Sequence, residues 1–177
     1  MEIRFLQPDD ANEWWRLRLE SLQGDPEAFS SSPEDHQSLT LEDVRKRLGS
    51  QDADFFVVGA LEDGRVIGMA GFYREKGRKT RHKGRVWGVY VTPQRRGEGI
   101  GRKMLKTLLE RGEGIDGVEQ ILIAVTSTQA AAAGLYRSLG FEVFGHEPRA
   151  LKVGDCFIDE EYMVRWVGGI ARQDLKR

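Results

Sequence analysis

The chain predicts a single α/β domain in which strands and about four helices build one core. Three observations carry that expectation. Two apolar runs in DFFVVGALEDGRVIGMAGFYRE are joined by Glu62-Asp63-Gly64, and Asp-Gly between strand-like runs is a strong hairpin signal. VWGVYV (86–91) and ILIAV (121–125) are short, nearly unbroken apolar runs of the kind found in buried strands. Each leads into a segment with helical spacing. With 177 residues and 40% hydrophobic content, the chain has material for one well-buried core.

The elements follow in order. Residues 2–6 predict a strand closed by Pro8, and Asp9 or Asp10 is placed to cap a helix with Trp14, Trp15, Leu19 and Leu22 near one face. Gly24 and Pro26 end that helix, and the Ser- and Pro-rich stretch 29–38 predicts a loop. In TLED, Thr40 and Asp43 make a capping box that opens a second helix carrying Val44 and Leu48. After the hairpin, a strand over 85–92 is read as buried on both faces and ends at Pro93. Ile100, Met104, Leu105, Leu108 and Leu109 then recur at helical spacing up to a stop at Gly112. ILIAV is the next strand and 128–139 the fourth helix. Residues 141–167 supply two final strands turning at Gly154, and 168–177 read as a polar tail.

Charge and cysteine usage narrow the function. There are 27 basic and 28 acidic residues, so no global field recruits nucleic acid or membrane. Cys156 is the only cysteine, which rules out an internal disulfide and a cysteine-cluster metal site and fits a cytoplasmic, reducing setting. Beside the sequence neighbour Asp155, and with no neighbouring His, its thiol reads as buried or inert. MEIRFLQPDD has no leader pattern, and no apolar run approaches the length of a membrane span.

QRRGEGIGRK (94–103) sets alternating glycines between a strand and a helix. There, unpaired helix amides and the helix dipole favour an anion, and glycine permits positive φ and close approach. The spacing excludes two nucleotide loops. A Walker loop needs G-x-x-x-x-G-K-[ST], whereas Arg102 stands five positions after Gly97 and Lys103 precedes Met104. A G-x-G-x-x-G fingerprint would need glycine at Arg102 or Met104. GEGIDG (112–117) does spell that fingerprint, but it follows a helix and leads into a strand, so it reads as a helix stop and turn.

Arg96-Gly97-Glu98-Gly99-Ile100-Gly101 fits the R/Q-x-x-G-x-G/A signature of the GNAT superfamily of N-acetyltransferases, preceded by VYVTP (89–93). Downstream, AAAAGLYRSLGFEVFG (130–145) is similar to that family's second signature, and the resemblance runs from the first strand to about Val167. It implies a domain over 1–167 with a mixed, mostly antiparallel sheet whose central strands splay to admit acetyl-CoA as co-substrate, with no metal. It also implies that backbone groups of Val89, Tyr90 and Val91 pair with the pantetheine arm. Amides from Gly97 through Glu98, Gly99, Ile100 and Gly101 to Arg102 would cradle the diphosphate, with Arg96 and Arg102 nearest its charge. Gln129 stands where the family commonly has Asn, so its amide reaches the coenzyme on a longer arm.

By the same resemblance, Tyr136 is the general acid at the departing sulfur; a structural hydroxyl is its competing role. No carboxylate or His lies on 85–89 or 121–125, so the base is sought at Glu75, His82, Glu160, Glu161 or a water relay. The basic tract REKGRKTRHKGR (74–85) reads as a solvated loop, or as an attraction for acidic acceptors, RNA or the coenzyme 3′-phosphate; nucleic acid conflicts with the balanced net charge. The acceptor stays open among peptide N-terminus, lysine, aminoglycoside, amino acid and small amine. Pairing into a homodimer through the late strands is the family's habit. A non-catalytic acyl-CoA-binding module is the competing function.

Overall fold

The computed structural model of the protein describes residues 1–50 and 54–168. Its strands are β1 Glu2–Phe5, β2 Phe55–Glu62, β3 Arg65–Arg74, β4 Lys83–Val91, β5 Gln120–Thr126, β6 Glu142–Val153 and β7 Cys156–Trp166. Its helices are α1 Ala11–Gly24, α2 Pro33–Gln37, α3 Leu41–Gly49, α4 Ile100–Glu113 and α5 Ala130–Ser138. The strands form one sheet in the order β1-β2-β3-β4-β5-β7-β6, antiparallel at every step except β4 to β5. The mixed α/β architecture read from the sequence is present. The tail lies outside the described residues beyond Gly168.

Local chemistry explains most boundaries. Asp63 and Gly64 both take positive φ, 49° and 77°, the geometry of a two-residue turn whose twist matches the flanking strands. It sets Glu62 opposite Arg65. Thr40 accepts from Asp43 N, and Asp43 returns a bond to Thr40 N at 3.0 Å, so the predicted box starts α3.

Four expectations are corrected. The stretch 29–38 is not all loop: Ser32 and Asp35 form a second capping box that starts α2, with Pro33 at the first helical position. On α1 the buried face is Trp14, Leu17, Arg18, Ser21 and Leu22, whereas Trp15 and Leu19 are half-buried. Asp10 does not cap α1 by its side chain; Arg4 holds that carboxylate at 2.7 and 2.9 Å and Gln7 N at 2.7 Å. Gly112 does not stop α4, which continues to Glu113. A Cβ at Gly112 would stand 2.9 Å from the Phe72 ring, so the glycine answers to packing.

Two apolar layers flank the sheet. On one face Ile100, Met104, Leu105 and Leu108 of α4 pack with Phe56, Phe72, Ile121 and Met163, joined by Ala133 and Tyr136 of α5. On the other, Trp14 and Leu17 pack with Leu6, Val44, Leu48, Val57 and Met69. Burying each such side chain contributes about 1.5–3 kcal/mol. Among the described residues no helix is long and apolar enough to cross a membrane.

Candidate functional site

The sheet opens at its centre. β4 and β5 pair only through Lys83, Gly84 and Arg85 with Gln120, Ile121 and Leu122. Beyond that, β4 stays paired to β3 as far as Val91, and β5 to β7 as far as Thr126. The facing backbone edges of 86–91 and 123–126 therefore have no ladder between them. This divergence is also why β4 is not buried on both faces, since Trp87, Gly88, Val89 and Val91 are only half-buried. β4 carries a bulge as well. Gly71 pairs with Trp87 but Met69 with Tyr90, which leaves one extra residue on β4, and Gly88 there has φ of 61°.

A cavity of about 400 Å³ lies at the open end, lined by Val89, Tyr90, Val91, Arg96, Gly97, Gly99, Ile100, Gly101, Arg102, Gln129 and Tyr136. Of the residues expected at a coenzyme site only Glu98 is absent from the lining, and its carboxylate is held by Arg95 at 3.0 Å. Arg95 in turn reaches Glu62. Gly97 and Gly99 have φ of 82° and 76°, and a Cβ on either would meet nothing within 4 Å, so the space before them is open. Gly101 is different. It is helical, and a Cβ there would touch Leu135 at 3.4 Å, an ordinary contact rather than an obstruction.

The first amide bond of α4 runs from Lys103 N to Gly99 O. Among the described residues, no N–H from Gly97 to Arg102 donates to another group of the chain. Six unpaired N–H donors in and just before the first turn of a helix suit an anion such as a diphosphate. Arg96 lies across the lip: its Nε donates to Val91 O at 2.9 Å, its Nη2 to Asp25 at 2.6 Å, and its guanidinium sits 5.3 Å from the Tyr90 ring centre. Arg102 donates to Ser138 Oγ at 2.7 Å and ties α4 to α5. The Tyr90 hydroxyl donates to Glu20 at 3.2 Å.

Tyr136 is 5% exposed and lines the cavity, with Phe141 edge-on at 6.1 Å. Burial raises its phenol far above the usual value, so the proton stays on. Gln129 is the N-cap residue of α5, its amide donating to Thr126 O.

The four base candidates are not equivalent, and none lines this cavity. Burial opposes ionisation of Glu75, yet Arg85 at 2.7 Å outweighs it and holds the carboxyl below its usual range. Glu161 is paired with Arg137 at 2.7 Å. His82 stands before β4, at the closed end of the wedge, its carbonyl accepting from Glu119 and Gln120. Glu160 faces Thr126 at the open end, and burial followed by repulsion from Glu147 raises its carboxyl.

Other expectations change. The basic tract is poorly placed for the 3′-phosphate, because it runs from the end of β3 into the start of β4, at the opposite end from the glycine loop, roughly 26 Å along the strand. Part of it is neutralised, Arg74 by Asp54 and Arg85 by Glu75. Cys156 is exposed at the β6–β7 turn, not buried. Sequence reasoning missed Asp25, Ala28 and Phe29, which wall the cavity from the loop after α1. Only the Gly24-Asp25-Pro26 break hinted at a chain reversal there.

Comparison with known proteins agrees with this geometry. The profile of the Acetyltransferase (GNAT) family matches residues 12–141. The chain is 30% identical over 145 residues to a mycothiol acetyltransferase of Brachybacterium faecium, covering 81% of this chain and 41% of that protein. It is 38% identical over 96 residues to the N-alpha-acetyltransferase RimI of Mycobacterium tuberculosis, covering 54% and 58%. It is 36% identical over 75 residues to an L-methionine sulfoximine/L-methionine sulfone acetyltransferase of Pseudomonas aeruginosa, covering 42% and 43%. The chain thus spans about half the length of the curated relatives it matches. In fold it is similar to a GNAT-family acetyltransferase of Streptococcus pneumoniae, with TM-score 0.84, 22% identity and coverage of 94% and 99%. A putative acetyltransferase of Salmonella typhimurium, described with its cofactor acetyl-CoA, superposes with TM-score 0.79, 24% identity and coverage of 97% and 96%. With the profile spanning most of the chain and a splayed sheet beside a glycine-rich helix start, the protein belongs to the acetyltransferase (GNAT) family.

Proposed function

We infer that residues 1–167 form an N-acetyltransferase that moves the acetyl group of acetyl-CoA to a primary amine by direct attack on the thioester. The observation that carries this reading is the unpaired β4 edge, which leads straight into six unpaired amides. Acetyl-CoA supplies the activated acyl group. The chain's residues hold and orient it: the glycine-loop amides meet the diphosphate, and the backbone of Val89, Tyr90 and Val91 offers the pantetheine an added-strand partner. Arg96 takes one of the two acceptor sites of Val91 O, which leaves the other for the pantetheine.

Tyr136, kept protonated by burial, donates to the sulfur as the C–S bond breaks and regains its proton from water. The amine nitrogen forms the new C–N bond, and its proton passes to Glu160, directly or through water. Burial favours the uptake, because a raised carboxyl is the better base. The lone Cys156 suits the cytoplasm, and the exposed β6 edge suits a second copy of the chain.

Thiol release from acetyl-CoA across an amine panel, with product masses, tests the reading. Turnover on at least one amine is expected. Tight acetyl-CoA binding with no turnover on any amine would instead identify an acyl-CoA-binding module.

A further inference from the structure

A second cavity, of about 370 Å³, lies on the α1 face of the sheet and includes Trp14, Arg18, His36, Arg47 and Trp87 in its lining. Among the described residues four buried side-chain nitrogens have no hydrogen-bond partner: Nε1 of Trp14, Trp87 and Trp166, and Nη1 of Arg18. Three of these four belong to residues that line this one cavity. Each is a donor and none can accept.

Arg18 is the unusual member. It is 7% exposed, it makes no ion pair among the described residues, and its guanidinium rests over the Phe29 ring at 4.7 Å. A buried, unpaired cation is costly. Burial, helped by the like charge of Arg47, brings its pKa down to about 10, so it stays charged at neutral pH. Among the described residues, the one acidic side chain that lines this cavity with Arg18 is Asp35, and the two form no ion pair. His36 is pulled below its ordinary value by burial and its Nε2 meets Trp15 O at 2.9 Å, while Asp35 accepts from Ser32 N at 3.4 Å at the start of α2.

The position connects the cavity to the chemistry. Arg18 Nη1 lies 3.6 Å from where a Cβ on Gly88 would stand, at the bulge next to Val89. Phe29, stacked under Arg18, also walls the donor cavity. The guanidinium therefore sits at the partition between the two spaces, beside the strand edge where acyl transfer would occur.

We propose that Arg18, with the indole N–H groups of Trp14 and Trp87, recognises a carboxylate on the acceptor, so that the acceptor is a small amino carboxylate of free amino-acid size. The proposal rests on the acetyltransferase reading for the identity of the reacting amine. A guanidinium fork presents two parallel donors that match a carboxylate. A carboxylate held there leaves an amine a few bonds away free to reach the β4 edge.

The test is calorimetric titration of wild type, Arg18→Met and Arg18→Lys with a panel of free L-amino acids and the amine that each gives on decarboxylation. Acetyl-CoA is titrated separately. The wild type is expected to bind at least one amino acid ~10-fold or more tighter than its decarboxylated partner, the range of a charge-assisted bond. Arg18→Met should erase that preference and leave acetyl-CoA affinity unchanged, with Arg18→Lys intermediate. Unliganded Arg18→Met should melt higher than wild type, because it removes an uncompensated charge.

Equal binding of both members of every pair, or binding of no amino acid, would overturn the proposal. So would a preference that survives in Arg18→Met, or an Arg18→Met that melts lower while Arg18→Lys binds like wild type. If the wild type takes up no acetyl-CoA yet shows Arg18-dependent amino-acid binding, the donor reading falls and this one stands.

Discussion

At the scale of single residues, the proposed reaction assigns its proton work to Tyr136 and Glu160. The same cause, burial, acts on both. It keeps the phenol protonated and makes the carboxyl a readier acceptor. Tyr136→Phe is expected to lower kcat on the order of 10²-fold, the usual contribution of a general acid, with acetyl-CoA affinity unchanged in calorimetry. An unaltered rate would leave Tyr136 as a packing residue against Phe141. Glu160→Gln should abolish the acidic limb of the kcat/KM profile, while Glu75→Gln and Glu161→Gln leave it in place. If all three keep it, a water relay is the better account. Stability moves the other way. The raised pKa of Glu160 means its protonated form favours the fold, a contribution complete below the unfolded value near 4.5 and lost as pH climbs through the higher folded value. Glu160→Gln should therefore melt higher than wild type at pH 7.

At the scale of elements, the glycine loop and the entry to α1 show how short segments set geometry. Gly97 and Gly99 keep positive φ in front of open space, which a side chain would both strain and fill. Gly99→Glu adds bulk and negative charge among six unpaired amides, and a loss of acetyl-CoA affinity of about 100-fold or more is expected by calorimetry. Undiminished affinity would remove this loop as the diphosphate site. At α1, Asp10 clasps Arg4 of β1 instead of the helix end. The hydrogen bond from Arg4 lowers the Asp10 carboxyl, outweighing burial, so its stabilisation is present above about pH 3.8 and lost as pH falls through the lower folded value. Asp10→Asn should cost roughly 1–3 kcal/mol at pH 7 in a denaturant titration, and much less at pH 2. Elements with two chemical cues were legible from sequence: Asp63-Gly64 for the hairpin, and Thr40 with Asp43 for α3. Where one residue could serve two purposes the reading slipped. Gly112 looked like a helix stop because its packing partner, Phe72, is forty residues away.

At the scale of the whole molecule, β4 and β5 part after Arg85 at the centre of the sheet, and the cavity proposed for the donor stands there. Its outer edges are β1 and β6. β6 is 12 residues long, and Phe144 within it and Phe157 on the neighbouring β7 are 53% and 48% exposed. Such an edge invites pairing. If a second copy covers it, Phe144→Glu should convert the wild-type dimer to a monomer in sedimentation; a wild type that sediments as a monomer at high concentration would sink that idea. The sequence by itself determined the strand and helix order and the left-handed glycines before α4, because hydrophobic period, caps and turn residues act over a few neighbouring positions. It also carried the paired signatures around Gly99 and Tyr136. Only the tertiary structure decided that β4 and β5 part after Arg85, that Gly88 sits in a bulge, and that Arg18 is buried between two cavities without a counter-ion among the described residues. Those features depend on which distant residues meet, as when Arg18 of α1 reaches Gly88 of β4, and nothing in the local pattern of either segment records the encounter.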